Sequence, residues 1–412
     1  MRIACFLPHL EISGGLGVQC RMFLDALHAV APQWNLEVMV PRDPSALFPK
    51  SGIEPVADTV KPWGKNLRLH PIDWPKEYSL ALPLDPVLGS LLKPLKPDLV
   101  FSSYYSGFQD PGCPQWVLYH DAGFLEFPER FGAAAPARLA TLEAMKPNLT
   151  GLVCISRDAR ERICKGTGLP HAKTEVIWHC LTDLDPRAAR CADAIEKNQQ
   201  LWPDGLTLAE LGDFWFSPVG AATGFNRARK NMPNLLGAFR EAKHLPVKLV
   251  IASTGVLDRT MLAELLPPQE IDQGAFQPGA ISHGAWISGD ERIVILPNLD
   301  RKPFLDTMAS ARGVVYPSRY EGFGLPTIEA MALGLPLVAS RAASIPEIVE
   351  DCGILVDPDK PVRYIEAMAS IERDRAWAKQ LGEMGKQRAT QHFMPSQCGS
   401  KWRELFERSL RR

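Results

Sequence analysis

Tyr320-Glu321-Gly322-Phe323-Gly324-Leu325-Pro326-Thr327-Ile328-Glu329 lies between two apolar runs, Gly313-Val314-Val315-Tyr316 and Leu335-Pro336-Leu337-Val338-Ala339-Ser340. The runs read as strands, the glycines as a loop, and Ile328 to Leu333 as a helix. A glycine loop that opens a helix offers free backbone N–H groups and the positive end of the helix dipole, which suits a phosphate. Gly322 and Gly324 allow close backbone approach, and Pro326 near the helix start removes no needed donor. A carboxylate accepts from two adjacent hydroxyls, so Glu321 and Glu329 can each hold a vicinal diol. Phosphate donors between two diol-holders describe a sugar nucleotide: sugar, diphosphate, ribose. The competing reading is a surface turn with two solvated glutamates.

Outward from this stretch, strand and helix patterns alternate along the chain. Residues 2–7, an amphipathic helix at 18–30 and Leu36 to Val40 form an opening βαβ unit, which implies a parallel sheet. Further strands read at 98–103, 115–119, 151–156, 174–178, 213–220, 247–253, 292–296 and 353–358. Ser156 is placed to cap a helix from Arg157. Residues 41–97 are proline-dotted and read as irregular, and 267–290 as loop-rich. The charged stretch 185–211 carries the domain boundary. The expected division is 1–187, a linker or insertion at 188–211, 212–390, and a terminal helix within 391–412.

Gly15-Leu16-Gly17-Val18-Gln19-Cys20 nearly spells a dinucleotide fingerprint, with Glu37 about twenty residues on. Cys20 stands where Gly or Ala is needed, and Pro8 to Ser13 separate the strand from the first glycine, so the tight turn is missing. An NAD-binding enzyme is therefore the runner-up class.

Lys and Arg total 46 against 47 Asp and Glu, so global charge points to no nucleic-acid partner. Nine scattered cysteines, none in Cys-x-x-Cys, suit reduced thiols and a cytoplasmic location better than disulfides or a zinc site. The N-terminal apolar run is too short for a signal peptide, and no run of about 18 apolar residues occurs. Peripheral contact with the inner face of a membrane stays open. Asp183-Leu184-Asp185 and Asp357-Pro358-Asp359 spell Asp-x-Asp, the metal signature of a different transferase fold, but read as turns. No metal and no cofactor are expected.

Glu-x7-Glu around Gly-Phe-Gly-Leu-Pro, followed by Ala330-Met331-Ala332-Leu333-Gly334-Leu335-Pro336-Leu337-Val338, closely resembles glycosyltransferase family 4. Those enzymes are retaining transferases of the GT-B fold. The resemblance implies an α/β chain of two Rossmann-like domains with parallel sheets facing across a cleft. An N-terminal acceptor-side domain is followed by a nucleotide-sugar domain, and the last helix crosses back onto the first. His120-Asp121 with Pro128-Glu129 looks like a stretch found especially in mannosyltransferases and places His120 at the donor sugar. A packed histidine at a strand end is the alternative.

By the same resemblance, Gly14 and Gly15 lie near the donor phosphates, and Asn298 and Leu299 lie against the base. Lys230-Asn231 matches the family's diphosphate-binding lysine site. The family's arginine site is occupied by Ala221-Ala222-Thr223-Gly224, so Arg227 or Arg229 is left to supply that charge. His179-Cys180 replaces the usual Asn-Gly after the last strand of the first domain. Glu321 is expected on the sugar's O3 side and Glu329 on the ribose. The diphosphate is expected at the backbone of Gly322, Phe323, Gly324 and Leu325, with Lys230, Arg229 and Asn231. His120, Glu321 and Lys230 form the expected catalytic group. The implied reaction moves a sugar, mannose from GDP-mannose first and a UDP-sugar second, to a hydroxyl of a glycan or lipid-linked glycan. Phosphorylase or epimerase chemistry and a non-catalytic sugar-nucleotide binder remain as alternatives.

Overall fold

The computed structural model describes residues 1–11, 15–44, 63, 65–75, 78–182, 184, 208–219, 229–253, 286–287, 290–296 and 299–411. They separate into two compact units, Met1–Thr182 with His392–Arg412, and Asp183–Gln391. Of the linker at 188–211, only the short helix Leu208–Leu211 falls among the described residues.

Unit 1 begins with β1 (Arg2–Phe6), α1 (Gly15–Val30), β2 (Asn35–Pro41) and β3 (Leu67–Ile72). It continues through α2 (Asp85–Leu95), β4 (Leu99–Ser102), β5 (Gln115–Tyr119), α3 (Ala134–Met145), β6 (Gly151–Cys154), α4 (Arg157–Thr167) and β7 (Thr174–Val176). The strand order is β3-β2-β1-β4-β5-β6-β7, and every pairing is parallel. Strands covered on both faces need near-continuous apolar sequence, which β1, β4, β5 and β6 supply. Ser156 Oγ accepts from Ala159 N at 3.0 Å and starts α4, and Gly168 in the left-handed region ends it.

Unit 2 contains β8 (Phe214–Pro218), α5 (Met232–Glu241), β9 (Lys248–Ala252), β10 (Trp286–Ile287), β11 (Ile293–Leu296) and α6 (Arg301–Ala309). Then come β12 (Gly313–Tyr316), α7 (Leu325–Ala332), β13 (Leu337–Ser340), α8 (Ile345–Val349), β14 (Ile354–Val356), α9 (Pro361–Arg373) and α10 (Arg375–His392). Its order is β10-β11-β9-β8-β12-β13-β14, parallel except for the β10–β11 pair. The order reverses between β1 and β4 in unit 1 and between β8 and β12 in unit 2. Open α/β sheets bind ligands outside the carboxyl ends of strands at such switch points.

The stretch 41–97, read as irregular, contains β3 and α2. β3 holds Pro71 and leaves Arg68 and Pro71 exposed, which an edge strand tolerates. α2 carries Gly89 and an internal Pro94, which lower helix propensity, and it forms because Leu88 and Leu92 are buried in the core. Arg259 to Leu266, whose sequence reads as helical, lies outside the described residues. Among the described residues no helix is long and apolar enough to cross a membrane.

α11 (Pro395–Ser409) returns to unit 1 and packs along α1. Phe23 stacks on Phe101 at 4.2 Å between ring centres and meets Trp402 edge-on at 5.0 Å. Trp116 Nε1 donates to Ser409 Oγ at 2.9 Å. The close crossing depends on Gly399, where a Cβ would fall 2.0 Å from the Ala26 carbonyl oxygen. Gly399→Val should therefore push the two helices apart and destabilise the chain by about 1–3 kcal/mol. Urea unfolding followed by tryptophan fluorescence would read this, and a variant as stable as the wild type would show that the helices can separate without cost.

Candidate functional site

The loop Pro317 to Gly324 leaves the carboxyl end of β12, beside the end of β8, at the switch point of unit 2. Gly324 has φ +90°, in the left-handed region, and turns the chain into α7. No side chain caps that helix, while Thr327 Oγ donates back to Gly324 O at 2.7 Å. The first-turn N–H groups and the helix dipole make this mouth an anion site in kind. Phe323 is buried and anchors the loop.

Glu321 is buried, so it is no solvated turn residue. Lys230 Nζ lies 2.7 Å from its Oε1, and Arg229 Nη1 lies 2.9 Å from its Oε2. Ser318 Oγ also donates to the Glu321 carboxylate. Ser344 Oγ donates to the Glu321 carbonyl at 2.9 Å, and Ser340 Oγ donates to the Ser318 carbonyl. Lys230 Nζ additionally reaches Tyr316 Oη at 3.0 Å and sits 5.1 Å from that ring's centre. One carboxylate thus ties the chain after β8 to the chain after β12.

Burial pushes the Glu321 carboxyl up, but Arg229 and Lys230 outweigh it and hold the group at about 2. Lys230 goes the other way. Burial and the neighbouring Arg229 pull it down to about 8, with Glu321 opposing. Its ammonium therefore titrates close to neutrality.

Asn231 is buried with φ +58° and opens α5. Its Nδ2 donates to Pro358 O at 2.8 Å, and its Oδ1 accepts from Asn234 Nδ2 at 2.7 Å and Arg319 Nε at 3.1 Å. The amide is taken up in shaping the turn that presents Arg229 and Lys230. Arg319 also pairs with Asp359, so the second Asp-x-Asp sequence lies in a turn held by an arginine.

Glu329 lies one turn into α7, 2% exposed, with Arg301 Nη2 at 2.5 Å from its Oε1. Leu299 is buried and its N–H donates to Ser253 O at 2.8 Å, which fixes the chain after β11. Asn298, Gly14 and Arg227 lie outside the described residues. Gly15 is the first residue of α1 in unit 1. Glu37, the acid of the dinucleotide reading, sits near the amino end of β2 and is bonded to His70 Nε2 at 2.7 Å. That is the wrong end of the strand for a ribose.

His120 follows β5 in unit 1, buried, with Nε2 2.6 Å from Ser103 O. Burial draws its imidazole down to about 4, with Arg138 adding to the effect. The structure therefore brings together Glu321, Lys230, Arg229 and the mouth of α7, and places Glu329 within that helix. Sequence reading missed Tyr316, Ser318, Ser340, Ser344 and Arg301. Ser318 stood beside the loop and was open to notice, whereas the Arg301–Glu329 pair joins residues 28 apart and leaves no local signal.

Residues 13–182 match the family model described as Glycosyltransferase Family 4, and residues 218–374 match that described as Glycosyl transferases group 1. O-antigen chain mannosyltransferase B of Escherichia coli is 28% identical over 216 residues, 52% of this chain and 48% of that protein. The chain spans about half the length, or less, of the curated relatives it matches. Sucrose-phosphate synthase from Thermosynechococcus elongatus superposes with a TM-score of 0.68 at 21% identity, covering 99% of this chain and 98% of that one. Anabaena HepE in complex with UDP-glucose superposes at 0.65 and 15% identity, covering 99% and 100%. At such identities these structures establish the fold, which is GT-B.

Removing Glu321 takes the carboxylate away from the buried Lys230 ammonium. Glu321→Gln should cost about 3–5 kcal/mol at pH 7, the range for breaking a buried pair. The folded-state carboxyl lies at about 2 against an ordinary 4.5, so its stabilisation is complete above about 4.5 and is lost as pH falls towards 2. The stability gap between wild type and variant, from urea titrations at pH 7, 4 and 3, should narrow on acidification. A gap that stays constant would mean that the carboxylate charge contributes nothing.

Proposed function

The chain belongs to glycosyltransferase family 4, and on that premise we propose that it transfers a hexose from a nucleoside diphosphate donor to a hydroxyl of a glycan or lipid-linked glycan, with retention of anomeric configuration. The observation that carries this reading is the buried Glu321 carboxylate gripped by Lys230 and Arg229 beside the uncapped mouth of α7. A sugar diol, two phosphates and a ribose need that sequence of acceptor, donors and acceptor.

In this reading, Glu321 takes the sugar hydroxyls, and the backbone from Gly322 to Leu325 takes the diphosphate. Lys230 and Arg229 meet the negative charge that grows on the leaving diphosphate as the glycosidic C–O bond breaks. Arg229 fills the place of the family arginine that Ala221 to Gly224 lacks. Glu329, oriented by Arg301, takes the ribose. Tyr316 and the three serines fix the ammonium and carboxylate before substrate arrives, so little reorganisation is left to the reaction. No step in this reading is assigned to a metal or a cofactor, and His120 keeps the sugar-contacting role that the family resemblance gives it. Mannose from GDP-mannose is the first choice of donor, supported by the His120-Asp121 stretch and the mannosyltransferase relative. A UDP-sugar is the second, supported by the likeness to HepE, which was solved with UDP-glucose.

Thermal shifts against GDP, UDP, ADP and NAD should single out GDP or UDP, and donor turnover with the winner, followed by anomeric proton NMR, should show a retained configuration. A shift with NAD alone, or an inverted product, would reject the reading. Lys230→Ala should lower kcat by about 100-fold or more with a smaller change in KM, because its charge acts most in the transition state. Since the ammonium deprotonates at about 8, kcat/KM should fall above that pH. Arg229→Gln removes a like charge from beside Lys230 and should move this alkaline limb upwards. A limb that stays in place would detach it from Lys230.

A further inference from the structure

The Asp357-Pro358-Asp359 sequence follows β14, and the transferase reading gives it no part. Its polar groups are nonetheless all engaged. Asp357 Oδ1 accepts from Asp359 N at 3.0 Å, which folds the turn, and Oδ2 lies 3.7 Å from Lys360 Nζ. Asp359 pairs with Arg319 Nη1. The Pro358 carbonyl between them accepts from Asn231 Nδ2 at 2.8 Å. Arg319 Nε donates to Asn231 Oδ1 at 3.1 Å, and the Arg319 backbone N–H donates to Arg229 O at 2.6 Å. These contacts close a ring from Asn231 to Pro358, from Asp359 to Arg319, and from Arg319 back to Asn231. The ring ties together the chain after β8, the chain after β12 and the chain after β14.

Arg229 and Lys230 lie within this ring's reach. They are neighbours at the end of a helical turn, where adjacent side chains do not face one another. Both still meet the Glu321 carboxylate, one on each oxygen. Their convergence depends on the course of the backbone, which Asn231 turns into the left-handed region at φ +58°. A residue with a Cβ is held there only at a cost in free energy, so the neighbours of Asn231 must hold it. Its amide has three partners, and Arg319 and Pro358 are two of them. Among the described residues, Glu321, Arg229 and Tyr316 face the Lys230 ammonium, and Arg319 is not bonded to it. Arg319 therefore reaches the ammonium through the backbone and not by contact.

The Arg319 and Asp359 side chains are 35% and 69% exposed, and ion pairs so exposed contribute little stability of their own. We propose that this pair is a positioning device for the transfer step. Asp359 orients the Arg319 fork, Arg319 holds the turn at 229–231, and the turn sets Lys230 and Arg229 against Glu321. The proposal rests on the transferase reading, in which those two cations meet the leaving diphosphate. It adds Arg319 and Asp359 as residues that set the rate without touching the substrate.

The test is steady-state kinetics of the full chain with GDP-mannose and UDP-glucose, together with NMR of isotope-labelled lysine. Arg319→Gln should lower kcat about tenfold and leave the donor KM within about twofold, since small misplacements cost most in the transition state. Asp359→Asn should lower kcat about threefold, and that loss should vanish in the Arg319→Gln background, because Asp359 acts through Arg319. Arg319→Lys keeps a cation but has no fork to span Asp359 and Asn231, so it should behave as Arg319→Gln does. Arg363→Gln, which breaks an exposed pair with Glu366 on α9, should leave kcat unchanged. The Lys230 resonance, assigned with Lys230→Arg, should titrate closer to an ordinary lysine in Arg319→Gln, because a loosened turn lets water reach the ammonium. If Arg319→Gln does not fold, Asp359→Asn, at an exposed carboxylate, still decides through kcat. Full turnover in Asp359→Asn, a loss confined to KM, additive losses in the double variant, or an unmoved Lys230 titration would overturn the device. A wild type that binds neither GDP nor UDP would count against the transferase reading instead, and the lysine titration, which needs no substrate, would still decide the positioning.

Discussion

A carboxylate buried between two cations organises unit 2. Removing a charge from water costs several kcal/mol even after relaxation. One pair of unit charges at 4 Å recovers about 4 kcal/mol at an effective dielectric constant of about 20. A single partner would therefore leave Glu321 near balance. Two partners carry it well below its ordinary titration range, and that is where Lys230 and Arg229 hold it. Both cations come from the chain after β8 and the carboxylate from the chain after β12. The pairing is thus what closes the switch point, and Asn231, with its positive φ and hydrogen-bonded amide, sets the turn that makes it reachable.

The same arrangement divides labour between the cations. Arg229 keeps its charge across the useful pH range. Lys230, buried beside it, loses protons far more readily than a lysine in water. An ammonium so placed is sensitive to any further negative charge that arrives. A diphosphate at the mouth of α7 would raise its proton affinity again, since nearby anions favour the charged form. Binding of such an anion would therefore be coupled to proton uptake at this residue through electrostatics.

Much of this architecture was legible because parallel strands covered on both faces must be apolar, and helix starts must carry cap or glycine chemistry. The runs at 313–316 and 337–340, the glycines between them and the two glutamates all follow such rules. β3 and α2 escaped because prolines and a glycine mask local propensity, and burial in the core overrides it. The grouping of Lys230 with Glu321 was expected only by family resemblance, since 91 residues separate them. The serines under the loop, Arg301 on Glu329 and Arg138 among the tyrosines answer to folded neighbours and have no periodic signature. Asn231 shows the converse. It stands within a recognisable motif, yet its side chain is engaged in holding backbone.

The two switch points differ in how their charges are settled. In unit 2 the carboxylate meets its cations within the protein, beside the uncapped mouth of α7. In unit 1 the buried Arg138 guanidinium, carried on α3, meets the rings of Tyr104 and Tyr105 and the Tyr104 phenol, and Asp121 accepts from Tyr105 and Gly123 instead. Aromatic faces attract a cation but do not neutralise it. A fold that needed only stability at this position would do as well with an apolar side chain of similar size, because buried charge gives no advantage over good packing. What Arg138 contributes in place of such a side chain is its bond to the Tyr104 phenol and its seat on the Tyr105 ring.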